Sequence, residues 1–226
     1  MVGYMTEMVL EGRPVLCFGG GQVALRKLTG LLPCGAQLTV VAPDLHPQLA
    51  KWVQAGQIQH RAEPFVSAQL DLLPRPVLVF AATGQASLNR EIAAQAAQRG
   101  MLCNSSDDPE SSGFLVPAVV RRGPVTVGVS TSGCSPALAR LLKERLNFWL
   151  EPGWAGLASL FGLVRNRVKL RLPDPVVRQQ FWRETCLAVA AERRFERQEN
   201  DHWLEARIAA AESRQDSGVA VSGDSS

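Results

Sequence analysis

Three consecutive glycines, Gly19-Gly20-Gly21, sit where chemistry is most easily placed. They follow an apolar run, Pro14-Val15-Leu16-Cys17-Phe18, and precede a helical pattern from Gln22 to Leu32. Gly19, Gly21 and Ala24 fit the G-x-G-x-x-G/A spacing of a dinucleotide fingerprint. The first glycine permits a tight turn, the second keeps a side chain out of the way of a pyrophosphate, and the small third residue lets helix and strand pack closely. The helix N-terminus adds free N–H groups and partial positive charge. A second strand, Gln37 to Ala42, ends at Pro43-Asp44, about 20 residues past the turn, where such sites place a carboxylate for the adenosine ribose. Asp44 serves equally well as an N-cap for the next helix. No lysine or arginine lies between Val40 and Leu45 to hold a 2′-phosphate, which favours NAD over NADP.

Two further clusters carry chemistry. Asp107-Asp108 follows directly on a strand end, and a carboxylate there can take a proton from a substrate. The alternative is that one of the pair initiates the turn before Pro109. The run Ser130-Thr131-Ser132-Gly133-Cys134-Ser135-Pro136 stands at a helix start. Its hydroxyls and N–H groups either bind a carboxylate or phosphate or cap the helix. Arg121, Arg122 and Arg140 are basic neighbours in sequence. Other chemistries are missing. There is no G-x-S-x-G elbow and no P-loop. The three histidines and five cysteines show no ligand spacing, so no metal site is expected. The single tyrosine, Tyr4, precedes the fold and cannot supply a Tyr-x-x-x-Lys pair.

These residues need positioning elements. The pattern predicts helices over His46–Ala55 and Ser87–Arg99, and strands over Gln57–Ala62, Val77–Ala82 and Met101–Asn104. This alternation is the doubly wound parallel arrangement, whose ligands lie beyond the carboxyl ends of the strands. Ala82, Thr83 and Asn104 stand at such ends. Two short strands, Phe114–Val120 and Pro124–Ser130, follow around Arg121-Arg122-Gly123. A helix over Ala137–Leu146 comes next, then helical pattern from Glu151 to Glu212 broken at Pro152-Gly153 and Pro173-Asp174-Pro175. Val164 to Leu172 alternates apolar and basic residues, and periodicity alone reads it as a strand. Ser213 to Ser226 reads as a disordered polar tail. A net charge of +3 falls short of a nucleic-acid footprint. No 18-residue apolar run predicts a membrane span. The N-terminal stretch lacks the basic flank and apolar core of a signal peptide, so a cytoplasmic location is expected.

Several segments together resemble the precorrin-2 dehydrogenases, stand-alone enzymes or the N-terminal half of siroheme synthase. They are GRPVLCFGGGQVALRKLTGLLPCGAQLTVVAP, VFAATGQASLNREIA, LCNSSDDP, FLVPAVVRRGPVTVGVSTSGCSPALARLLKERL and RNRVKLRLPDPVVRQQFWRE. The resemblance implies an α/β fold: a Rossmann domain (1–112), a central α+β dimerisation region (113–150) and a helical C-terminal region (151–212), with the tail at 213–226. It favours helix for Val164–Leu172. It implies NAD-dependent oxidation of precorrin-2 to sirohydrochlorin by a homodimer, and in some relatives iron or cobalt insertion as well. Gly19, Gly21, Gln22, Val23, Pro43, Asp44, Ala82 and Thr83 become expected cofactor contacts, and Asp107 the candidate proton acceptor. Asn104, Ser130, Thr131, Ser132, Ser135, Arg121 and Arg140 become expected contacts for a polycarboxylate substrate. Thr131 matches a serine that is phosphorylated in one branch. The family commonly has Asn-Val-Val-Asp where this chain has Asn104-Ser105-Ser106-Asp107. The competing class is a non-catalytic NAD-sensing dimer, which needs the glycine turn but not Asp107. Partners in nucleic acid or membrane are not expected.

Overall fold

Strand β1, Pro14–Phe18, is buried on both faces, and this organises everything around it. Val15 and Cys17 point into one apolar cluster, Leu16 and Phe18 into another. Only a strand covered by helices on both sides tolerates that composition. The computed structural model describes residues 3–72, 74–192 and 197–216 of the chain. In it β1 pairs in parallel with β2, Gln37–Val41, and with β4, Leu78–Ala81. Strand β3, Gln59–Arg61, and strand β5, Leu102–Ser105, complete a parallel sheet of order β3-β2-β1-β4-β5. Helices α1, Gln22–Thr29, and α2, Pro47–Gln54, bury Ala24, Leu28 and Leu49 on one face. Helix α3, Ala86–Gln98, buries Ile92, Ala93 and Ala96 on the other. The expected Rossmann-type sheet is therefore present, with strands shorter than the apolar runs suggest at several ends.

The chain divides into two compact units: Met1–Pro117 together with Ser130–Pro136, and Ala118–Val129 together with Ala137–Ser226. The second unit opens on an antiparallel hairpin, β6 (Ala118–Arg122) and β7 (Val125–Val129). The strand expected from Phe114 begins only after Pro117, a residue with no N–H to give a ladder. Arg121 and Arg122 lie in β6 itself, and Gly123-Pro124 alone makes the turn. Gly123 has a φ of 54°, as the first central position of a type II′ turn requires.

Helices α4 (Pro136–Trp149), α5 (Gly153–Arg171), α6 (Pro175–Glu192) and α7 (Arg197–Asp216) follow. Both expected breaks occur, and Trp149 stacks on Trp154 across the first, with ring centroids 6.4 Å apart. Val164 to Arg171 is helix, as the resemblance implied. The core of the second unit gathers Leu160, Val164, Val168, Leu172, Phe181, Leu204 and Ile208. Helix α7 runs to Asp216, into the segment read as a tail, and residues 217–226 lie outside those described.

Four of the five thiols divide sharply by environment, with Cys34 half-buried between them. Burial pushes Cys17 and Cys103 up to about 12, whereas Cys134 and Cys186 are exposed. The thiolate is the reactive form. Titration with an aromatic disulfide at mildly alkaline pH should therefore find Cys134 and Cys186 in the folded protein, and Cys17 and Cys103 only after unfolding. A folded value raised above the unfolded 9.0 means that the stability these thiols contribute is intact below pH 9 and is lost as pH rises toward 12. Denaturation curves across that window should show the loss, and Cys17→Ala should lessen it.

Candidate active site

The glycine turn divides its three residues between packing and access. Gly19 has a φ of 110°, and a Cβ on it would lie 2.2 Å from the carbonyl oxygen of Ala82. A Cβ on Gly20 would lie 2.1 Å from the carbonyl oxygen of Asp44. The turn is thus pressed between the ends of β2 and β4. Two hydrogen bonds hold it there: Gly19 N donates to Val41 O at 2.9 Å, and His46 N donates to Gly20 O at 2.7 Å. Gly21 is different. Nothing lies within 4 Å of where its Cβ would be, and its φ of −87° is ordinary. It is the N-cap of α1 and has no side chain to close the helix end, and the first turn of α1 carries no acid. The N–H groups of the first turn, including those of Gln22 and Val23, therefore face an uncapped, locally positive opening. Ala24, fully buried, supplies the close packing at the third fingerprint position. A pyrophosphate fits this donor set: tight backbone at two glycines, open space at the third, and unopposed amides.

Two ambiguities of the sequence resolve in the geometry. Helix α2 is capped by His46, whose Nδ1 accepts from Gln48 N at 3.1 Å. Asp44 is not the cap and stands exposed at the β2 edge beside Pro43. In the acidic pair the roles separate. Asp108 Oδ1 accepts from Glu110 N at 3.0 Å and from Ser111 N at 3.3 Å, so this residue closes the turn. Asp107, exposed, is left to a different contact: Asn89 Nδ2 donates to its Oδ2 at 2.6 Å.

Asn89 is completely buried in the first turn of α3 and also binds Thr83, at the end of β4, through three hydrogen bonds. Asn104, buried in β5, accepts at Oδ1 from Lys27 Nζ at 2.8 Å and donates from Nδ2 to Phe114 O at 3.0 Å. Burial holds the Lys27 ammonium below the ordinary lysine value; Arg26 adds to this, and Cys17 and Asp107 oppose it. The first unit thus gathers Asp107, Asn89, Thr83, Asn104 and Lys27 at the carboxyl edge of the sheet. Lys27→Met should leave a buried amide oxygen without a donor. We expect a loss of about 1–3 kcal/mol, seen by calorimetry as a Tm lower by about 2–12 °C.

The serine-rich turn is internally closed. Thr131 Oγ1 donates to Ser135 O and accepts from Ser135 N, each at 3.1 Å. Ser130 Oγ accepts from Ser132 N at 3.1 Å, and Ser132 takes a φ of 52°. The turn belongs to the first unit, whereas Arg121 and Arg140 belong to the second. Arg122 donates within that second unit, to Asn147 Oδ1 at 2.9 Å. Among the described residues no group of three or more His, Cys, Asp or Glu side chains gathers as a metal-holding cluster, and no helix is long and apolar enough to cross a membrane.

Lys27 and Asn89 escaped the sequence reading, yet both carried a signal. Lys27 lies on the stripe of α1 that buries Ala24 and Leu28, and Asn89 on the stripe of α3 that buries Ile92, Ala93 and Ala96. A polar side chain on an apolar stripe requires a buried partner.

Comparison with known proteins fits this geometry. Residues 8–118 match the family model described as "Putative NAD(P)-binding", and residues 122–147 match the sirohaem biosynthesis protein central domain. A siroheme synthase of Methylobacillus flagellatus is 40% identical over 192 residues, which are 85% of this chain and 40% of that protein. Siroheme synthase 2 of Aeromonas salmonicida is 43% identical over 173 residues, 76% of this chain and 35% of that one. The chain therefore spans about two fifths of the length of these curated relatives. Among solved structures, SirC, precorrin-2 dehydrogenase, shares the fold with a TM-score of 0.65 at 24% identity, covering 88% of this chain and all of that one. The cofactor class is a nicotinamide dinucleotide. The chain thus carries an NAD(P)-binding unit followed by the sirohaem biosynthesis central domain, aligns over most of its length with siroheme synthases, and has the fold of SirC.

Proposed function

We propose that this chain is an NAD-dependent dehydrogenase that oxidises precorrin-2 to sirohydrochlorin. The observation that carries the reading is the juxtaposition, at one sheet edge, of an uncapped helix N-terminus behind an open glycine and an exposed, anchored carboxylate, Asp107. The names of the relatives supply the substrate. Bound nicotinamide supplies the hydride acceptor. The amides of Gly21, Gln22 and Val23 hold its pyrophosphate, and Pro43-Asp44 meets the adenosine ribose. Ala82 and Thr83 border the reacting end. The absence of a cationic side chain from Val40 to Leu45 favours NAD over NADP.

Asp107 accepts the proton that the substrate must lose. The hydroxyls of Ser130 and Ser132, whose protons the turn does not use, are the first unit's donors for the carboxylates of the macrocycle, whereas Thr131 spends its proton on Ser135 O and holds the turn. Arg121 and Arg140 are the second unit's candidates for charge-assisted hydrogen bonds. Exposed apolar side chains on α4, among them Leu138, Leu141, Phe148 and Trp149, favour a homodimer joined through residues 113–150. The expected compartment is the cytoplasm.

An anaerobic spectrum tests this directly. Protein mixed with precorrin-2 and NAD should give NADH and sirohydrochlorin together, faster than with NADP at equal concentration. NAD binding without turnover would instead establish the non-catalytic sensor.

A further inference from the structure

We propose that Asn89 is a positioning residue for the dehydrogenation: its amide engages Oδ2 of Asp107 and so selects Oδ1 as the oxygen that receives the substrate's proton. The inference rests on the reaction proposed above and assigns a task to a residue remote from it in sequence. Asn89 is fully buried, and its amide uses its whole hydrogen-bonding capacity. Oδ1 accepts from Thr83 N at 2.9 Å and from Thr83 Oγ1 at 2.7 Å. Nδ2 donates to Thr83 O at 3.2 Å and to Asp107 Oδ2 at 2.6 Å.

The orientation of this amide is forced by chemistry. A backbone N–H can only donate, so the group facing Thr83 N must be the amide oxygen. The NH2 then has to face Asp107, where it matches an ionised carboxylate, which can only accept. One carboxylate oxygen is held by a donor, and the other makes no hydrogen bond within the described residues. The step balances simply. A C–H bond of the substrate breaks with its electron pair leaving as hydride to the nicotinamide. A second N–H or C–H bond of the substrate breaks, its electron pair goes into the new double bond, its proton forms a bond to Oδ1, and Asp107, being exposed, later returns the proton to water.

The linkage also runs the other way. Thr83 continues directly from Ala82, whose carbonyl is pressed against Gly19. Asn89 therefore fastens the acid to the same peptide segment that abuts the glycine turn, and the carboxylate keeps its place relative to the cofactor cradle. A misplacement on the order of 1 Å is enough to cost about 100-fold in rate.

Asn89→Asp is the test. It preserves side-chain shape and the acceptor for Thr83, but turns a carboxylate oxygen toward Asp107. We expect kcat to fall about 10- to 100-fold, with the Kd for NADH, measured by fluorescence titration, changed less than about twofold. Adjacent carboxylates disfavour joint ionisation, so the acidic limb of the kcat profile should move to higher pH. The double variant Asn89→Asp/Asp107→Asn re-forms the hydrogen bond with partners exchanged. It should recover the wild-type Tm and NADH affinity but not turnover.

If Asn89→Asp does not fold, Asn89→Ser is judged by the same kcat loss and NADH affinity. A wild type without NADH formation would sink the functional reading and this inference with it. An active wild type whose folded Asn89 variant keeps kcat within about twofold and, for Asn89→Asp, an unmoved pH profile would overturn the Asn89 role alone. Activity restored in the double variant would overturn it as well.

Discussion

Asp107→Ala is expected to lower turnover with precorrin-2 and NAD by about 10²- to 10⁴-fold, the range that loss of a positioned proton acceptor costs. Two features of the site separate this loss from unfolding and from lost cofactor. Asp107 is exposed, so its removal opens no cavity in the core. Its hydrogen-bond partner, Asn89, retains three contacts to Thr83 and stays satisfied apart from one donor. The Tm should therefore shift little, and the Kd for NADH should change less than about twofold. Single-turnover kinetics of the variant should show the chemical step slowed, with binding intact. Asp108→Ala is the informative contrast, because Asp108 spends its carboxylate on the turn amides of Glu110 and Ser111. It should lower stability more than Asp107→Ala does, by about 1 kcal/mol, and lower turnover less. The opposite ranking would show that the wrong acid of the pair has been placed at the reaction.

Gly19→Ala should damage the fold, and Gly21→Ala the binding of cofactor. At Gly19 the backbone φ of 110° disfavours any side chain, and the new methyl meets the carbonyl oxygen of Ala82 at 2.2 Å. The obstacle is backbone just past the end of β4, not a mobile side chain. Strain of about 1–3 kcal/mol for the conformation adds to about 1–3 kcal/mol for overpacking. On a chain of this size that is a Tm lower by about 4–24 °C. At Gly21 neither cost arises, because the φ is −87° and no atom lies within 4 Å of the new methyl. The Tm of Gly21→Ala should stay near that of the wild type while NADH affinity falls, since the open space is where a pyrophosphate must approach. Calorimetry and fluorescence titration on the two variants should give opposite patterns. Equal loss of affinity with no loss of stability in both would remove the division of labour between the glycines.

The glycine turn was legible because its signal is local: strand, turn and helix follow one another within Pro14–Thr29, and each residue type states a steric requirement. Asp107 was legible as a carboxylate at a strand end, but not which acid of the pair was free, since that depends on the amides of the following turn. Lys27 was not read because its partner, Asn104, is 77 residues away in the chain and is met only when β5 joins the sheet. Periodicity also misled at Val164–Leu172 for a definite reason. A repeat of two contains a repeat of four, and Val164, Val168 and Leu172 are buried at helical spacing while Leu170, which completes the alternation, is 82% exposed. The basic residues between them are solvated helix faces or pair with acids, as Arg171 does with Glu205 at 2.8 Å.

The way the chain is shared between its two units bears on how the protein can be taken apart. The polypeptide leaves the first unit at Pro117, returns to it for Ser130–Pro136, and leaves again. The covalent order of residues is therefore not the order of the folded bodies. No single cleavage of the backbone yields two intact halves: a break after Pro117 strips the first body of its hydroxyl-rich turn, and a break after Pro136 carries the hairpin β6–β7 away from its helices. Proteases, gene splitting and domain exchange all act on single junctions, so each should find this protein indivisible where a linearly joined pair of domains would separate cleanly. An inserted sequence between Gly123 and Val125, at the hairpin tip, escapes this constraint, because that junction interrupts neither passage between the units.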